Sequence, residues 1–228
     1  MVHLSGYLIK GHIEVICGSM FSGKTEELLR RVKRAQIARQ KVQVFKPLID
    51  DRYSKDHVQS HDSNRVLSFP IQKPFELFDH LDDNTRVIGI DEAQFFDDSI
   101  VDVAQKLANR GIQVIVAGLD LDYRGRPFGP MPLLLAIAED VTKLSAICVV
   151  CGAPASRTQK TTGPEVDAAS PVAVGAKEMY EARCRFCHRP EVDAASHAQE
   201  PHPATKAPRQ GLTTFHAESK KHIEGVLS

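Results

Sequence analysis

The segment Gly18–Thr25, which reads GSMFSGKT, constrains the fold of this 228-residue chain more than any other stretch. It matches the pattern G-x-x-x-x-G-K-[ST], in which glycines let the backbone curl so that several N–H groups point at one anion. An apolar run, Ile13–Ile16, precedes it, and a helical pattern, Glu26–Arg39, follows it. A strand, a phosphate loop and a helix in this order predict a domain that binds a nucleoside triphosphate, whereas a chance glycine turn would not explain the flanking elements.

Each residue of this loop has an expected place at the triphosphate. The Lys24 ammonium group is expected to reach the β- and γ-phosphates, and the Thr25 hydroxyl is expected to ligate Mg²⁺. The helix that follows adds the positive end of its dipole. The backbone around the phosphates would be that of Gly18, Ser19, Met20, Phe21, Ser22 and Gly23.

Apolar runs and amphipathic segments alternate along the chain as far as Ile147. Strands are predicted at Ile13–Ile16, Val42–Phe45, Val66–Phe69, Arg86–Ile90, Ile112–Ala117 and Val141–Ile147. Helices are predicted at Glu26–Arg39, Phe75–Leu81, Asp97–Asn109 and Leu133–Ala138. This alternation is typical of an α/β fold with a doubly wound, mostly parallel sheet of the P-loop NTPase type.

Asp91 and Glu92 directly follow one of the predicted strands. After a phosphate loop, an acidic residue at such a strand end orders Mg²⁺ and its waters. The second carboxylate, that of Glu92, can accept a proton from a nucleophile that attacks the γ-phosphate. Glu92 is therefore the predicted catalytic residue. The nucleophile could be water, as in an ATPase, or a substrate hydroxyl, as in a kinase. The Asp91–Glu92 pair alone does not distinguish between these two reactions.

Loops after the strands carry three arginines and two aromatic residues. Arg52 lies in IDDRY, and Arg124 and Arg126 lie in DYRGRPFG. Ligands bind at such loops in open α/β sheets, so each arginine is a candidate to balance phosphate charge, although a lone arginine is more often a surface residue. Tyr123 and Phe128 flank the arginines, where they either stack on a base or pin the loop to the core.

Two Cys-x-x-Cys pairs begin where the alternation of strands and helices stops. Cys148 and Cys151 form the first pair, and Cys184 and Cys187 form the second. Four thiolates at this spacing predict a closed, tetrahedral, structural Zn²⁺ site that ties down the loop between the pairs. His188 could substitute as a ligand, and C-x-x-C-H is also a haem attachment pattern, but the second pair of cysteines favours zinc.

Taken in order, the motifs resemble those of the thymidine kinase family of the cellular, type II kind, in a bacterial-like member. The resemblance extends from about Gly11 to His188 and rests on GSMFSGKT, KPLIDDRYS, SHDS, IDEAQFF, GLDLDYRGRPFG, CVVCG and VGAKEMYEARCRFCH. It implies transfer of the γ-phosphoryl group of Mg-ATP to the 5′-hydroxyl of thymidine, in nucleoside salvage for DNA synthesis. It also implies a homotetramer that thymidine triphosphate inhibits as the end product.

The resemblance further implies roles for individual residues. Glu92 falls on the general base of the family and Arg52 on a phosphate-side arginine. The segment that binds nucleotide and metal comprises Asp91, Glu92, Ala93 and Gln94. Positions expected around the nucleoside are Met20, Phe95, Tyr123, Phe128, Thr158, Ala173, Val174, Gly175 and Tyr180. From Thr158 onward these belong to a lasso loop that zinc would hold over the base, so loss of zinc should weaken nucleoside binding more than ATP binding.

The charge balance bears on the main alternative, a zinc-containing P-loop ATPase that acts on nucleic acid. Lysine and arginine number 29, aspartate and glutamate also number 29, and the formal net charge is zero. Binding that depends on phosphate-backbone contacts usually needs a basic excess, so no direct nucleic-acid binding is expected. No apolar run approaches ~20 residues and no secretion signal is seen, so we expect a cytoplasmic protein without a membrane span.

The residue pattern changes near residue 147, where the alternation of strands and helices stops, and again after residue 189. These two changes predict that the chain has three structural regions. Residues 1–146 would form the P-loop nucleotide-binding domain, and residues 147–189 would form a small zinc-ribbon and lasso domain. Residues 190–228 contain prolines and histidines but few large apolar residues. That composition predicts a mostly disordered tail, because it offers little apolar surface to bury.

Overall fold

Six parallel strands form the main sheet of the protein. The strands are β1 Ile13–Gly18, β2 Lys41–Pro47, β3 Ser68–Ile71, β4 Thr85–Ile90, β5 Gln113–Gly118 and β6 Asp140–Leu144. They lie side by side in the order β3-β2-β4-β5-β1-β6, and every neighbouring pair is parallel. The structure is a computed structural model that describes residues 11–48, 68–161 and 179–190. The predicted parallel α/β sheet is confirmed.

Helices cover both faces of this sheet. They are α1 Lys24–Ile37, α2 Ser99–Asn109, α3 Met131–Ile137 and the 3-10 helices Pro74–His80 and Ala93–Phe95. Leu28 and Val32 of α1 pack against Ile16 on one face, while Val15 and Cys17 face the cluster formed with α2 and α3 on the other. Successive side chains of a strand point to opposite faces, so a strand buried on both sides has an uninterrupted apolar sequence.

Strands β1, β4 and β5 bring the functional loops to one edge of the sheet. The phosphate loop follows β1, and Asp91 follows β4. The loop 119–130 follows β5, which lies between the other two strands. Because the carboxyl ends of parallel strands lie at the same edge, residues distant in the sequence meet there.

The last predicted strand, Val141–Ile147, is wrong as a single strand. Strand β6 ends at Leu144, which pairs with Gly18, the last residue of β1. Beyond this point the phosphate loop turns away from the sheet, so β6 has no partner left. The chain instead forms β7, Ala146–Ile147, which pairs antiparallel with β8, Pro154–Ala155, outside the main sheet.

A second antiparallel pair completes a small lobe that we call the zinc lobe, residues 146–161 and 179–190. This pair consists of β9, Arg157–Lys160, and β10, Tyr180–Arg183. The buried cluster of the lobe contains only alanines and cysteines, namely Ala146, Cys148, Ala155, Ala182 and Cys184. Such small side chains bury little apolar area, so a lobe of this size needs an additional cross-link.

All described residues belong to one unit, which ends at Glu191. The predicted tail beyond Pro190 lies outside the described residues. The domain boundary between residues 146 and 147 stays a prediction. Across the described ranges, we find no helix with the length and apolar character that crossing a membrane would require.

Candidate active site and metal centre

The phosphate loop connects the end of β1 to the start of α1. Gly18 has a φ of 146° and Gly23 a φ of 84°. A Cβ at Gly18 would lie 2.4 Å from the carbonyl oxygen of Leu144, so only glycine fits there. No side chain caps α1, which leaves its first N–H groups available to an anion. Ser22 Oγ is buried and has no hydrogen-bond partner among the described residues. The loop therefore fits a triphosphate.

Lys24 and Thr25 face the acidic end of β4. Lys24 Nζ donates to the Ser19 carbonyl oxygen at 3.0 Å, and Thr25 Oγ1 donates to Asp91 Oδ2 at 3.1 Å. Burial lowers the pKa of Lys24, and the nearby carboxylates partly offset this effect. Burial, followed by repulsion from Glu92, raises the pKa of Asp91 to about 6. A cation between these oxygens would relieve that repulsion, and hydroxyl and carboxylate oxygens suit Mg²⁺.

Glu92 is held in an unusual backbone conformation beside Asp91. Its φ is 52°, a left-handed value that few residues with a side chain adopt. Gln94, which is 2% exposed, donates from Nε2 to Glu92 Oε2 at 2.6 Å. The Oε1 atom of Gln94 accepts a hydrogen bond from Leu119 N at 2.9 Å. The Gln94 amide thus fixes one oxygen of the Glu92 carboxylate and ties it to the end of β5.

The loop 119–130 carries two of the predicted aromatic residues. Phe128 is buried and packs edge-on against Phe95, with ring centroids 5.7 Å apart and an interplanar angle of 83°. Tyr123 is half-buried, and the Arg124 guanidinium group lies 5.0 Å from its ring centroid. Phe128 therefore anchors the loop to the body of the protein, whereas Tyr123 keeps an accessible surface.

The zinc lobe contacts the phosphate loop directly. Ser19 Oγ donates to the Ala155 carbonyl oxygen at 3.1 Å. Met20 N donates to Thr158 Oγ1, also at 3.1 Å. Thr158, predicted beside the nucleoside, is 3% exposed and uses its hydroxyl to hold the phosphate loop. Tyr180 lies opposite Lys160 in the same antiparallel pair of strands and is buried.

The four cysteines of the two Cys-x-x-Cys pairs converge in the zinc lobe. Their sulfur atoms all lie within 4.8 Å of one another, and Cys151 Sγ is 3.6 Å from Cys184 Sγ. Sulfur atoms at ~2.3 Å from a tetrahedral Zn²⁺ would be about 3.8 Å apart, so the arrangement fits zinc. Burial raises the pKa of the Cys148 thiol, but backbone hydrogen bonds from Cys184 and the Cys148–Cys151 turn outweigh it and lower that pKa to about 6. The pKa of Cys184 is lowered as well, whereas the hydrogen bond with Cys184 raises the pKa of Cys187 to about 12, so a metal would have to displace protons from part of this thiol group.

Comparisons with known proteins agree with the motifs. A family model described as "Thymidine kinase" matches residues 11–188. The chain belongs to the thymidine kinase family. A curated protein named thymidine kinase, from Bdellovibrio bacteriovorus, is 56% identical over 185 residues, which cover 81% of this chain and 89% of that protein.

A second relative carries the same name. This thymidine kinase, from a Rhodothermus species, is 56% identical over 203 residues, which cover 89% of this chain and 93% of that protein. Among solved structures, the Legionella pneumophila ATPase DotB overlaps 57% of this chain and 36% of its own, with a TM-score of 0.36 and 16% identity, too little to inform fold or function. As a member of the thymidine kinase family, the chain is a kinase.

The fold of this thymidine kinase family member brings most predicted site residues together. The phosphate loop and the segment Asp91–Gln94 follow strands β1 and β4, which flank β5, and Thr158 of the zinc lobe contacts Met20. Tyr180 lies in the strand that pairs with the one carrying Thr158. Other predicted residues lie outside the described residues, and their roles stay predictions: Arg52, Ala173, Val174 and Gly175.

Asp120 belongs to the site region, although the sequence analysis assigns it no role within the motif GLDLDYRGRPFG. It is 6% exposed, and its Oδ2 accepts from Lys143 Nζ at 2.6 Å. Within the described part of the chain its Oδ1 has no hydrogen-bond partner. Burial and then the charge of Asp120 raise the pKa of Cys17 to about 11, and the same charge favours the protonated form of Lys24. The sequence offers one indication of this location. Asp120 lies two residues after the end of β5, and Asp91 and Glu92 likewise directly follow the end of β4.

Proposed function

We propose that this thymidine kinase family member transfers the γ-phosphoryl group of Mg-ATP to the 5′-hydroxyl of thymidine, in nucleoside salvage for DNA synthesis. One observation carries the proposal most directly. Thr25 Oγ1 lies 3.1 Å from Asp91 Oδ2, next to Glu92 and at the mouth of the phosphate loop. Oxygen atoms that could ligate a cation and a carboxylate that could accept a proton thus share one edge of the sheet. Both relatives are named thymidine kinase, which supports thymidine as the nucleoside.

Each side chain at this edge has a different proposed role in phosphoryl transfer. The phosphate loop and Lys24 would bind the β- and γ-phosphates and hold them in line with the acceptor. Thr25 and Asp91 would hold Mg²⁺, which supplies charge neutralisation to the phosphates when it is bound. Glu92 would accept the proton of the 5′-hydroxyl, while Gln94 keeps its carboxylate oriented.

The nucleoside site is proposed beside the loop 119–130 and the zinc lobe. Its residues would be Met20, Phe95, Tyr123, Phe128, Thr158 and Tyr180, together with Ala173, Val174 and Gly175 from the lasso. An apolar cover lined by backbone groups suits a flat, uncharged base and excludes water, so a substrate hydroxyl attacks rather than water. Arg52 is proposed on the phosphate side.

Further features of the proposal concern the metal, the assembly and control. Four cysteine sulfur atoms within 4.8 Å of one another support a structural Zn²⁺. We extend the family resemblance to a cytoplasmic homotetramer and to feedback inhibition by thymidine triphosphate. Light scattering coupled to gel filtration and inhibition kinetics test these two points.

The experiment that tests the activity measures ADP release from Mg-ATP with and without thymidine and assays for thymidine monophosphate. We expect ADP release to depend on thymidine and to equal the amount of product. ADP release that ignores thymidine but rises with DNA or RNA would contradict the proposal and favour the alternative ATPase. The zero net charge of the chain argues against that alternative.

A further inference from the structure

His188 follows the cysteine Cys187 directly but does not join the group of thiols. Its ring is 8% exposed, and Nε2 lies 2.8 Å from the carbonyl oxygen of Tyr123. Because a carbonyl oxygen can only accept, Nε2 carries the hydrogen and donates it. The backbone N of His188 donates to the Cys184 carbonyl oxygen at 3.0 Å. The turn that presents two of the thiols therefore also fixes the position of the imidazole.

The segment that receives this hydrogen bond, the turn 122–126, is held together internally. Asp122 N donates to the Arg126 carbonyl oxygen, and Gly125 N donates to the Asp122 carbonyl oxygen. Asp122 Oδ1 also accepts from the backbone N of Arg124 and of Arg126. These internal hydrogen bonds make the turn rigid. A hydrogen bond to the Tyr123 carbonyl oxygen therefore also restricts the position of the Tyr123 ring.

The zinc lobe touches the same turn at weaker points. Arg157 Nη1 lies 3.4 Å from the Gly125 carbonyl oxygen, and Lys160 Nζ lies 5.7 Å from the Tyr123 ring centroid. A Cβ at Gly125, where φ is 77°, would lie 3.5 Å from His188 Cε1. The imidazole thus packs against the turn as well as bonding to it. At 2.8 Å and partly buried, the His188 bond is the shortest of these contacts.

We propose that His188 is a positioning residue for nucleoside binding. A metal bound by the cysteines would hold the Cys184–Cys187 turn in place. Through its hydrogen bond, His188 in turn holds the backbone of Tyr123 in place, and it does not contact the nucleoside itself. The inference rests on the proposed function, in which Tyr123 lines the nucleoside site. In this inference His188 neither binds the metal nor contacts ATP. Replacement of His188 should therefore weaken thymidine binding without changing ATP binding or zinc content.

The test compares His188→Leu, which removes the donor, with His188→Gln, whose amide Nε2 can donate in its place. Phe186→Ala is the matched control, because Phe186 lies in the same turn and is 84% exposed. Zinc content, the thymidine dissociation constant by calorimetry, and the KM for ATP are measured for each variant. We expect His188→Leu to raise the thymidine dissociation constant about five- to tenfold, the scale of one buried hydrogen bond. Zinc content and the KM for ATP should stay as in the parent protein, and His188→Gln should restore most of the affinity.

A second variant keeps the test decisive if His188→Leu does not fold. Gly125→Ala places a Cβ where φ is 77°, which strains the turn that accepts the His188 hydrogen bond without altering any cysteine. It should also weaken thymidine binding at full zinc content. Unchanged thymidine affinity in a folded His188→Leu protein, loss of zinc from it, or an equal rise in its KM for ATP would each overturn the inference, and Gly125→Ala decides the test where His188→Leu does not fold.

A parallel variant separates failure of this inference from failure of the proposed function. Tyr123→Ala removes the ring that the turn presents. If Tyr123→Ala weakens thymidine binding and His188→Leu does not, only the inference about His188 is wrong. If neither variant weakens it, the proposed place of the nucleoside is wrong as well.

Discussion

Glu92 is the side chain whose replacement tests the chemistry most directly. Glu92→Gln keeps the shape of the side chain and an oxygen that can accept from Gln94, but it cannot take up a proton. We expect kcat to fall by ~10²-fold or more. ATP binding should stay nearly intact, because Lys24 and Thr25 are unchanged. Steady-state kinetics and ATP calorimetry measure the two effects, and unchanged turnover would refute the assignment.

Gln94 offers a second prediction about a single side chain. Gln94→Leu removes the donor to Glu92 Oε2 and leaves Leu119 N without its acceptor. We expect kcat to fall about tenfold, since a buried bond to a charged group is lost. Gln72→Leu, an exposed position, is the control and should keep the parental kcat. A larger effect on the KM for ATP than on kcat would show that Gln94 acts on the nucleotide instead.

Single residues also mark the limit of what the sequence predicts. The phosphate loop and the cysteine pairs were predictable, because their chemistry demands fixed residue types at fixed spacing. The contact between His188 and Tyr123 was not, because it joins positions far apart in the chain, and the place of Asp120 after β5 indicates the site region but not its pairing with Lys143. His188 and Tyr123 lie 65 positions apart, and no spacing rule links them.

At the scale of elements, the sequence predicts strands and helices well where periodicity decides them. Both β1 and α1 lie close to their predicted places because an apolar run and a helical repeat specify them locally. Strand β6 ends early for a different reason. Its end depends on where β1 stops and the phosphate loop begins, which is a property of the partner strand.

The zinc lobe as an element supports a further prediction. The sequence alone predicts that zinc loss weakens nucleoside binding more than ATP binding. In the structure, the lobe also holds the phosphate loop through bonds to Ser19 and Met20. We therefore expect Cys151→Ser to lose the metal, to weaken thymidine binding at least tenfold and to weaken ATP binding about threefold.

Metal analysis and calorimetry check this expectation. The parent protein should contain about one zinc per chain. A protein free of zinc with full affinity for ATP would show that the two bonds to the phosphate loop do not depend on the metal. Full activity without zinc would refute a structural role for the four cysteines.

For the molecule as a whole, the stability of the fold includes a polar network beneath α1. Glu14 on β1 accepts from Arg31 of α1 and from Gln113 of β5, and its Oε1 lies 2.8 Å from His12 Nε2. Arg31 Nη2 also donates to Thr142 Oγ1 at 2.8 Å, so the network joins a helix to three strands. Burial raises the pKa of Glu14, but the hydrogen bonds to His12, Arg31 and Gln113 outweigh it and lower that pKa.

The direction of this shift fixes how stability depends on pH. A carboxyl group whose pKa is lower in the folded state contributes stability above its unfolded pKa of about 4.3 and loses it as the pH falls through the folded value. Glu14→Gln should therefore lower the free energy of unfolding by about 2 kcal/mol at pH 7, since it removes one of the two carboxylates that pair with Arg31 and leaves only Glu27. Glu181→Gln, at a more exposed pair with Arg183, should cost less than about 1 kcal/mol. Urea unfolding at pH 7 and below pH 4 measures both, and a Glu14→Gln deficit that does not shrink in acid would contradict the proposed linkage.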